Sequence, residues 1–412
     1  MINRRAAAYA GSLFSTIPRR PLRRWLQLPQ SAGALWRLIA SDSVRLEVSS
    51  KCQLKCPVCP TAKGINRNGV VGWGNLTLDA FERFIGDNPR IGQIEISNWG
   101  EIFLNPALNE IVRCAHQSGI VLTANNGVNF NSVRDDTLEV LVKYRFRSLT
   151  IALDGATPES YRDYRKKGDF DRVIANIEKL NEYKRQYRSR YPILTWQLVI
   201  FGHNEHELAQ ARSMARALGM KFSAKLNAES WGPRYSPVKD REMVRAQSGF
   251  GVASLKEFRE KYGRDYLVAC EDLWVKPQVN WDGKLLGCCV NMWGDFGNAF
   301  QSGLEKSRAS EKYVYAQKML LGEVEARSDI PCVHCDLYQN HALRKLLETT
   351  WSPGIARKLL SASVANGPRE NKSAVARLGM RVFDGAREIS ALLRTFRAWR
   401  NRNSHRLRTA AD

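Results

Sequence analysis

From Val44 to Leu226 the sequence repeats one unit, a short run of apolar, β-branched residues followed by a longer stretch with helical periodicity. Such alternation encodes parallel strands joined by helices, because neighbours that run the same way need a crossover and not a hairpin. Strands are expected at Val44–Ser49, Gln93–Asn98, Val121–Asn125, Leu149–Leu153, Leu194–Phe201 and Lys221–Leu226. Helices are expected at Thr77–Ile85 with Thr77 as N-cap, at Ala107–His116 behind Pro106, and at Asp135–Tyr144, Phe170–Tyr187 and His206–Leu218, the last stopped by Gly219. Six units in about 185 residues are too few for a closed eightfold barrel, and an open, partial (β/α)6 TIM-like barrel fits the count.

Chemistry on such a sheet gathers at the C-terminal strand ends. The first of these ends runs into Ser50-Lys51-Cys52-Gln53-Leu54-Lys55-Cys56-Pro57-Val58-Cys59-Pro60. The spacing C-x3-C-x2-C puts three soft thiolates on one tight loop, enough to hold three irons of a cubic 4Fe–4S cluster and leave the fourth open. A structural zinc site is the alternative, but the loop lacks the paired knuckles of a zinc ribbon.

This loop, following a strand, resembles the radical S-adenosylmethionine (radical SAM) superfamily, and later strand ends extend the likeness. The resemblance implies that the open iron chelates the methionyl amine and carboxylate of S-adenosylmethionine. The second strand end, Asn98-Trp99-Gly100-Glu101-Ile102, is similar to the family's G-G-E-P segment, with Trp99 and Ile102 replacing a glycine and the proline. It implies that Gly100 and Glu101 receive the cofactor's ammonium. Thr123-Ala124-Asn125-Asn126-Gly127 resembles a T-N-G segment and nominates Asn126, although Asn and Gly also simply make turns. Ala152-Leu153-Asp154-Gly155 resembles S-x-D-G with Ala152 where the serine stands. Downstream, Arg165 is the expected grip on the carboxylate, ahead of Arg162, since a guanidinium binds it bidentately. Side chains of the fifth strand can pack the adenine or the core. Residues 227–265, with Trp231-Gly232-Pro233-Arg234-Tyr235, read as a substrate-contacting loop or as a linker.

A second set, Cys270, Cys288, Cys289, Cys332 and Cys335, follows. Val275–Asn280 and Lys284–Gly287 flank Asp282-Gly283 and read as a β-hairpin that draws Cys270 and Cys288 together. A helix over Glu311–Glu323 leads to the C-x2-C of Cys332 and Cys335. Four separated thiols can close a cluster or a zinc site. Hairpin, helix and C-x2-C resemble the twitch form of the SPASM module, with spacing close to that of the aminocyclitol dehydrogenases. That likeness implies a second 4Fe–4S cluster on Cys270, Cys288, Cys332 and Cys335, hence two clusters. Cys289 is expected to face away and pack, and Cys114 to be a buried helical thiol. The expected division is a basic extension over 1–42, the barrel over 43–265, the twitch/SPASM-like subdomain over 266–340 and a basic helical tail over 341–412.

The resemblance implies reductive cleavage of S-adenosylmethionine, with the 5′-deoxyadenosyl radical abstracting hydrogen from a substrate C–H bond. A fully ligated second cluster suits an electron carrier, and so an oxidation of the dehydrogenase or peptide-maturase type. Epimerisation of a sugar or peptide is the alternative, and no residue is assigned as base or hydrogen donor. Expected partners are a reductant such as flavodoxin or ferredoxin and a small-molecule, sugar or peptide substrate.

The net charge of +22 prompts a rival reading as a nucleic-acid-binding protein with structural metals. Its distribution argues otherwise: residues 1–42 carry +6 and residues 353–412 carry +9, leaving +7 for the body. Basic flanks can dock an acidic carrier, leader peptide or lipid headgroup, or serve as solvated helices. The N-terminal segment with Trp25 and Leu26 reads as a helix covering one barrel end or as a membrane-interface segment. A third reading is an assembly protein with vestigial clusters. The sequence has no run of eighteen apolar residues and no convincing signal cleavage site before Pro18, so a cytoplasmic location is expected.

Overall fold

The computed structural model describes residues 42–227 and 235–350. The basic N-terminal extension, the Trp231–Arg234 stretch and the basic tail from 351 onward lie outside the described residues.

All six expected strands form: β1 (Asp42–Leu46), β2 (Ile91–Glu95), β3 (Val121–Val128), β4 (Ser148–Ala152), β5 (Ile193–Val199) and β6 (Lys221–Lys225). They pair in parallel in the order β6-β5-β4-β3-β2-β1. The helices between them include α1 (Leu78–Asp87), α2 (Leu108–Gln117), α3 (Asp135–Lys143), α4 (Pro158–Tyr164), α5 (Phe170–Gln186) and α6 (Leu208–Ala217). Thr77 caps α1 by accepting a hydrogen bond from Ala80 N at 3.2 Å. Gly219 ends α6 with a left-handed φ of 67°, which a side chain would resist.

Strand register sorts the sheet into two faces. Val44, Ile94 and Leu122 lie side by side and join one apolar core with Phe81 and Phe84 of α1. The Trp196 ring packs on Phe170 of α5, so this face is the one the helices cover. The opposite row, Arg45–Glu95–Thr123, is polar yet buried. Most buried polar groups find a partner. Here Glu95 accepts from Ser97 Oγ at 2.6 Å, Thr123 Oγ1 at 2.7 Å and Asn125 N at 2.8 Å.

Three details differ from the sequence expectation. β1 stops at Leu46, because Val48 and Ser50 exchange their backbone bonds with Leu76 and Gly74 instead of with β2. β3 runs on to Val128 through a register shift between Ala124 and Val128, a bulge in which Gly127 takes φ 100°. The hairpin forms with short strands, β7 (Gln278–Val279) and β8 (Leu285–Gly287), and β7 pairs in parallel with β1. The hairpin therefore continues the barrel sheet to eight strands. Behind it follow α7 (Asp272–Val275, preceding β7 in the chain), α8 (Glu311–Leu321) and α9 (Ala342–Thr350).

Candidate functional site

The cysteine loop is held at three places. Glu47, fully buried at the end of β1, accepts from Trp99 N at 2.9 Å and Gly100 N at 3.3 Å. Lys51 O accepts from Glu101 N at 2.7 Å, and Lys55 N donates to Lys166 O at 3.0 Å. Cys59 N donates to Cys56 O at 3.2 Å, closing the turn that carries two of the thiols. All three cysteines are free; Cys56 is buried, and Cys52 and Cys59 are partly exposed.

The donors suit a soft, positively charged group. Burial, Glu101 and the neighbouring thiols push the Cys52 thiol up to about 12. Burial also pushes Cys56 up, opposed by Arg165. Bare thiolates are thus disfavoured, and iron would be needed to keep them deprotonated. Among the described residues no group of three or more His, Cys, Asp or Glu is placed to hold a single metal ion. A cubic cluster spaces its thiolates wider than one ion does.

The segment after β2 lies directly on this loop. A Cβ on Gly100 would fall inside the carbonyl of Ser49 and 2.7 Å from Lys51 O, so only glycine fits. Glu101 is buried; its Oε2 accepts from Asn129 N at 2.6 Å, its Oε1 from Phe103 N at 3.3 Å, and the Phe130 amide also bonds its carboxylate. Burial pushes its carboxyl up to about 7. Asn129 Nδ2 reaches Cys52 Sγ at 3.7 Å, so Glu101 and Cys52 are linked through a residue that its sequence context does not single out. Asn126 stands in the β3 bulge, exposed, with Nδ2 on Asn98 Oδ1 at 2.7 Å. Asn98 Nδ2 in turn donates to Cys289 O at 2.8 Å.

Arg165 occupies the centre. Its Nε donates to Asp154 Oδ2 at 2.7 Å and its Nη1 lies 3.8 Å from Cys56 Sγ. The start of α4, the helix whose C-cap is Arg165, is fixed by Glu207, which accepts from Ala156 N at 2.7 Å and Thr157 Oγ1 at 2.9 Å. Asp154 raises the Arg165 pKa further above its ordinary value, against the pull of burial, and the guanidinium stays charged. Arg162 points elsewhere, to Pro158 O at 3.0 Å and Glu159 at 3.7 Å. Beyond β5, Phe201 meets the rings of Tyr164 at 4.6 Å, His203 at 5.3 Å and Tyr235 at 5.5 Å.

The second cysteine set also gathers, although Cys270 precedes α7 and does not lie on the hairpin. Burial raises the Cys270 and Cys288 thiols well above their ordinary range; Cys332 and Cys335 add to the shift at Cys270, and Cys289, Cys332 and Cys270 to that at Cys288. Cys335 is buried and Cys332 partly so, and all four are free. Cys289, expected to face away and pack, has polar company instead. Its thiol donates to Asp272 and lies near Arg45, on the polar face of the sheet. Cys289 lies in the turn that follows β8, and its charged company comes from β1 and α7, which leaves no trace in local sequence. Cys114 sits on α2, half-buried against the core.

Residues 46–215 match the sequence profile of the Radical SAM superfamily. This segment is a radical SAM domain. The family implies a 4Fe–4S cluster and S-adenosylmethionine, which fits the donors described above. GTP 3′,8-cyclase of Desulforamulus reducens is 24% identical over 179 residues, which are 42% of this chain and 52% of that enzyme. The chain thus spans about half the length of that curated relative. The structure of Streptococcus suis SuiB bound to precursor peptide SuiA is 15% identical with a TM-score of 0.48, covering 68% of each chain. BtrN in complex with AdoMet and 2-DOIA is 14% identical with a TM-score of 0.36, covering 69% of this chain and 90% of that one. Among the described residues no helix is long and apolar enough to cross a membrane.

Proposed function

We propose that the chain is a radical SAM oxidoreductase with two 4Fe–4S clusters. The first cluster, on Cys52, Cys56 and Cys59, with S-adenosylmethionine at its open iron, supplies a 5′-deoxyadenosyl radical that takes hydrogen from a substrate C–H bond. The single observation that carries the reading is Arg165, which joins Asp154 at the end of β4 to Cys56 in the cysteine loop. A guanidinium held there, charged and 16% exposed, is poised to take the methionyl carboxylate beside the open iron. Glu101, whose Oε1 takes a long bond of 3.3 Å from Phe103 N, would accept the ammonium, and Gly100 lets that segment lie against the loop. Asn126 offers its amide from the bulge.

Cys270, Cys288, Cys332 and Cys335 would hold the second cluster. Four protein ligands leave no open iron, so its role is to accept the electron that an oxidised substrate radical gives up. One observation favours epimerisation as a second reading: Cys289 presents its thiol on the polar face of the sheet. A thiol there could return a hydrogen atom to a substrate radical. The substrate is a small molecule, sugar or peptide, the electron source a flavodoxin or ferredoxin, and an acidic carrier or leader would meet the basic flanks.

Anaerobic reconstitution tests the reading. About eight irons per chain are expected from two cubic clusters, with 5′-deoxyadenosine released under reduction. Stoichiometric zinc, or no cleavage with both clusters loaded, refutes it.

A further inference from the structure

The polar face of the barrel holds three cations in range of one another, and two are paired. Arg165 is paired with Asp154 at 2.7 Å, and Arg45 with Asp272 at 3.8 Å and Ser97 O at 3.3 Å. The third is Lys225, the last residue of β6, in register with Val199 of β5. Its neighbours Ala224 and Leu226 enter the apolar core, so alternation turns Lys225 to the polar face. Its titratable neighbours are Asp154, Arg165, Arg45 and the Cys289 thiol, which sets it between the Arg165 site and the turn that carries Cys289.

Among the described residues its ammonium has no hydrogen bond or ion pair. The nearest carboxylate is not free to serve it. Asp154 Oδ2 accepts from Arg165 and Oδ1 from Val199 N at 2.7 Å. Glu95 and Glu47 on this face are likewise occupied by hydroxyls and backbone amides, and Asp272 is paired with Arg45. Burial pushes the Lys225 pKa down, as expected for a charge that lacks a counter-ion. A half-buried ammonium in this position is unfavourable by itself and favourable once an anion reaches it.

We propose that Lys225 anchors an anionic group of the substrate, a carboxylate or a phosphate, inside the barrel beside Asp154 and Arg165. The proposal rests on the radical SAM reading above and specifies its substrate class. With Arg165 assigned to the cofactor's carboxylate, Lys225 is left for a second anion, one that orients the reacting carbon toward the cysteine loop.

The test uses the full-length protein, reconstituted anaerobically and saturated with S-adenosylmethionine. Methylation of individual lysines by formaldehyde and cyanoborohydride is followed by peptide mass mapping. Lys225 is expected to react, and excess succinate or inorganic phosphate to slow it about tenfold, as for a site whose Kd is a tenth of the added concentration. Which of the two protects distinguishes carboxylate from phosphate. Neutral succinamide should leave Lys225 unprotected, and Lys256, whose side chain is 84% exposed, should be indifferent to all three. Three results overturn the proposal: no reaction at Lys225, no protection by either anion, or full protection by S-adenosylmethionine alone. 5′-Deoxyadenosine release is measured on the same sample. Its absence refutes the radical reading whatever Lys225 does, and its presence with an unprotected Lys225 removes only the anion subsite.

Discussion

Replacing Gly100 by alanine tests whether the contact between the segment after β2 and the cysteine loop organises the site. The added Cβ would meet Ser50 C at 2.6 Å and Lys51 O at 2.7 Å, and it would overlap the carbonyl of Ser49. All three are backbone atoms, so no side-chain rotation relieves the overlap and the two segments must part. Parting them breaks Glu101 N to Lys51 O and pulls Trp99 N and Gly100 N from the Glu47 carboxylate. Overpacking costs about 1–3 kcal/mol, and each lost bond about 1 kcal/mol, more where Glu47 is left unsatisfied. The total is about 5 kcal/mol, or about 10 °C in Tm at the ~2 °C per kcal/mol of a large domain. The control is Gly86→Ala within α1, where a Cβ meets nothing within 4 Å. It should gain about 0.5–1 kcal/mol, as alanine does over glycine in a helix. Thermal unfolding and iron content of both variants, purified anaerobically, provide the comparison. A Gly100→Ala protein that melts within a degree of wild type and carries full iron would refute the reasoning.

Replacing Cys56 by alanine should remove the first cluster, leave about four irons per chain, and abolish 5′-deoxyadenosine release, read by iron assay and chromatography. Cys335→Ala should instead remove the second cluster, so that deoxyadenosine still forms while oxidised product does not; full turnover would sink the electron-carrier role. Arg165→Lys keeps the charge but loses the planar fork, and should weaken S-adenosylmethionine binding about tenfold, one charge-assisted hydrogen bond, measured by calorimetry. Burial pushes Glu47 up to about 8 and Glu101 up to about 7 from the usual 4.5, so the folded chain holds protons that the unfolded chain has released. Their contribution to stability is full below about pH 4.5 and is lost as pH rises through about 7 and then about 8, each group adding at most ~1.4 kcal/mol per pH unit. Glu47→Gln should flatten the upper part of that decline in urea unfolding, and an unchanged slope would contradict the assignment.

The six strands and their helices were legible along the chain because each unit signals itself locally, by β-branched runs, an N-cap such as Thr77 or a stop such as Gly219. Cys52, Cys56 and Cys59 were legible for the same reason: their spacing is short enough for one turn to hold them. Gly100 could be suspected from its motif, but the cause, contact with the backbone of residues 49–51, belongs to two segments fifty residues apart. Arg165 and Arg162 are the same side-chain type, and it is the fold around α4 that turns one toward Asp154 and Cys56 and the other toward Glu159.

What only tertiary structure decided is which polar residues share the inner face of the sheet. Arg45, Glu95, Lys225 and Cys289 come from distant parts of the chain, and strand register, not local pattern, sets them side by side. The same holds for the hairpin. Asp282-Gly283 announces its turn, yet its pairing with β1, which joins the second cysteine set to the barrel sheet, depends on a free strand edge that no local signal records. Local chemistry determined which elements form and which thiols share one loop, while burial and register, being non-local, determined what they face.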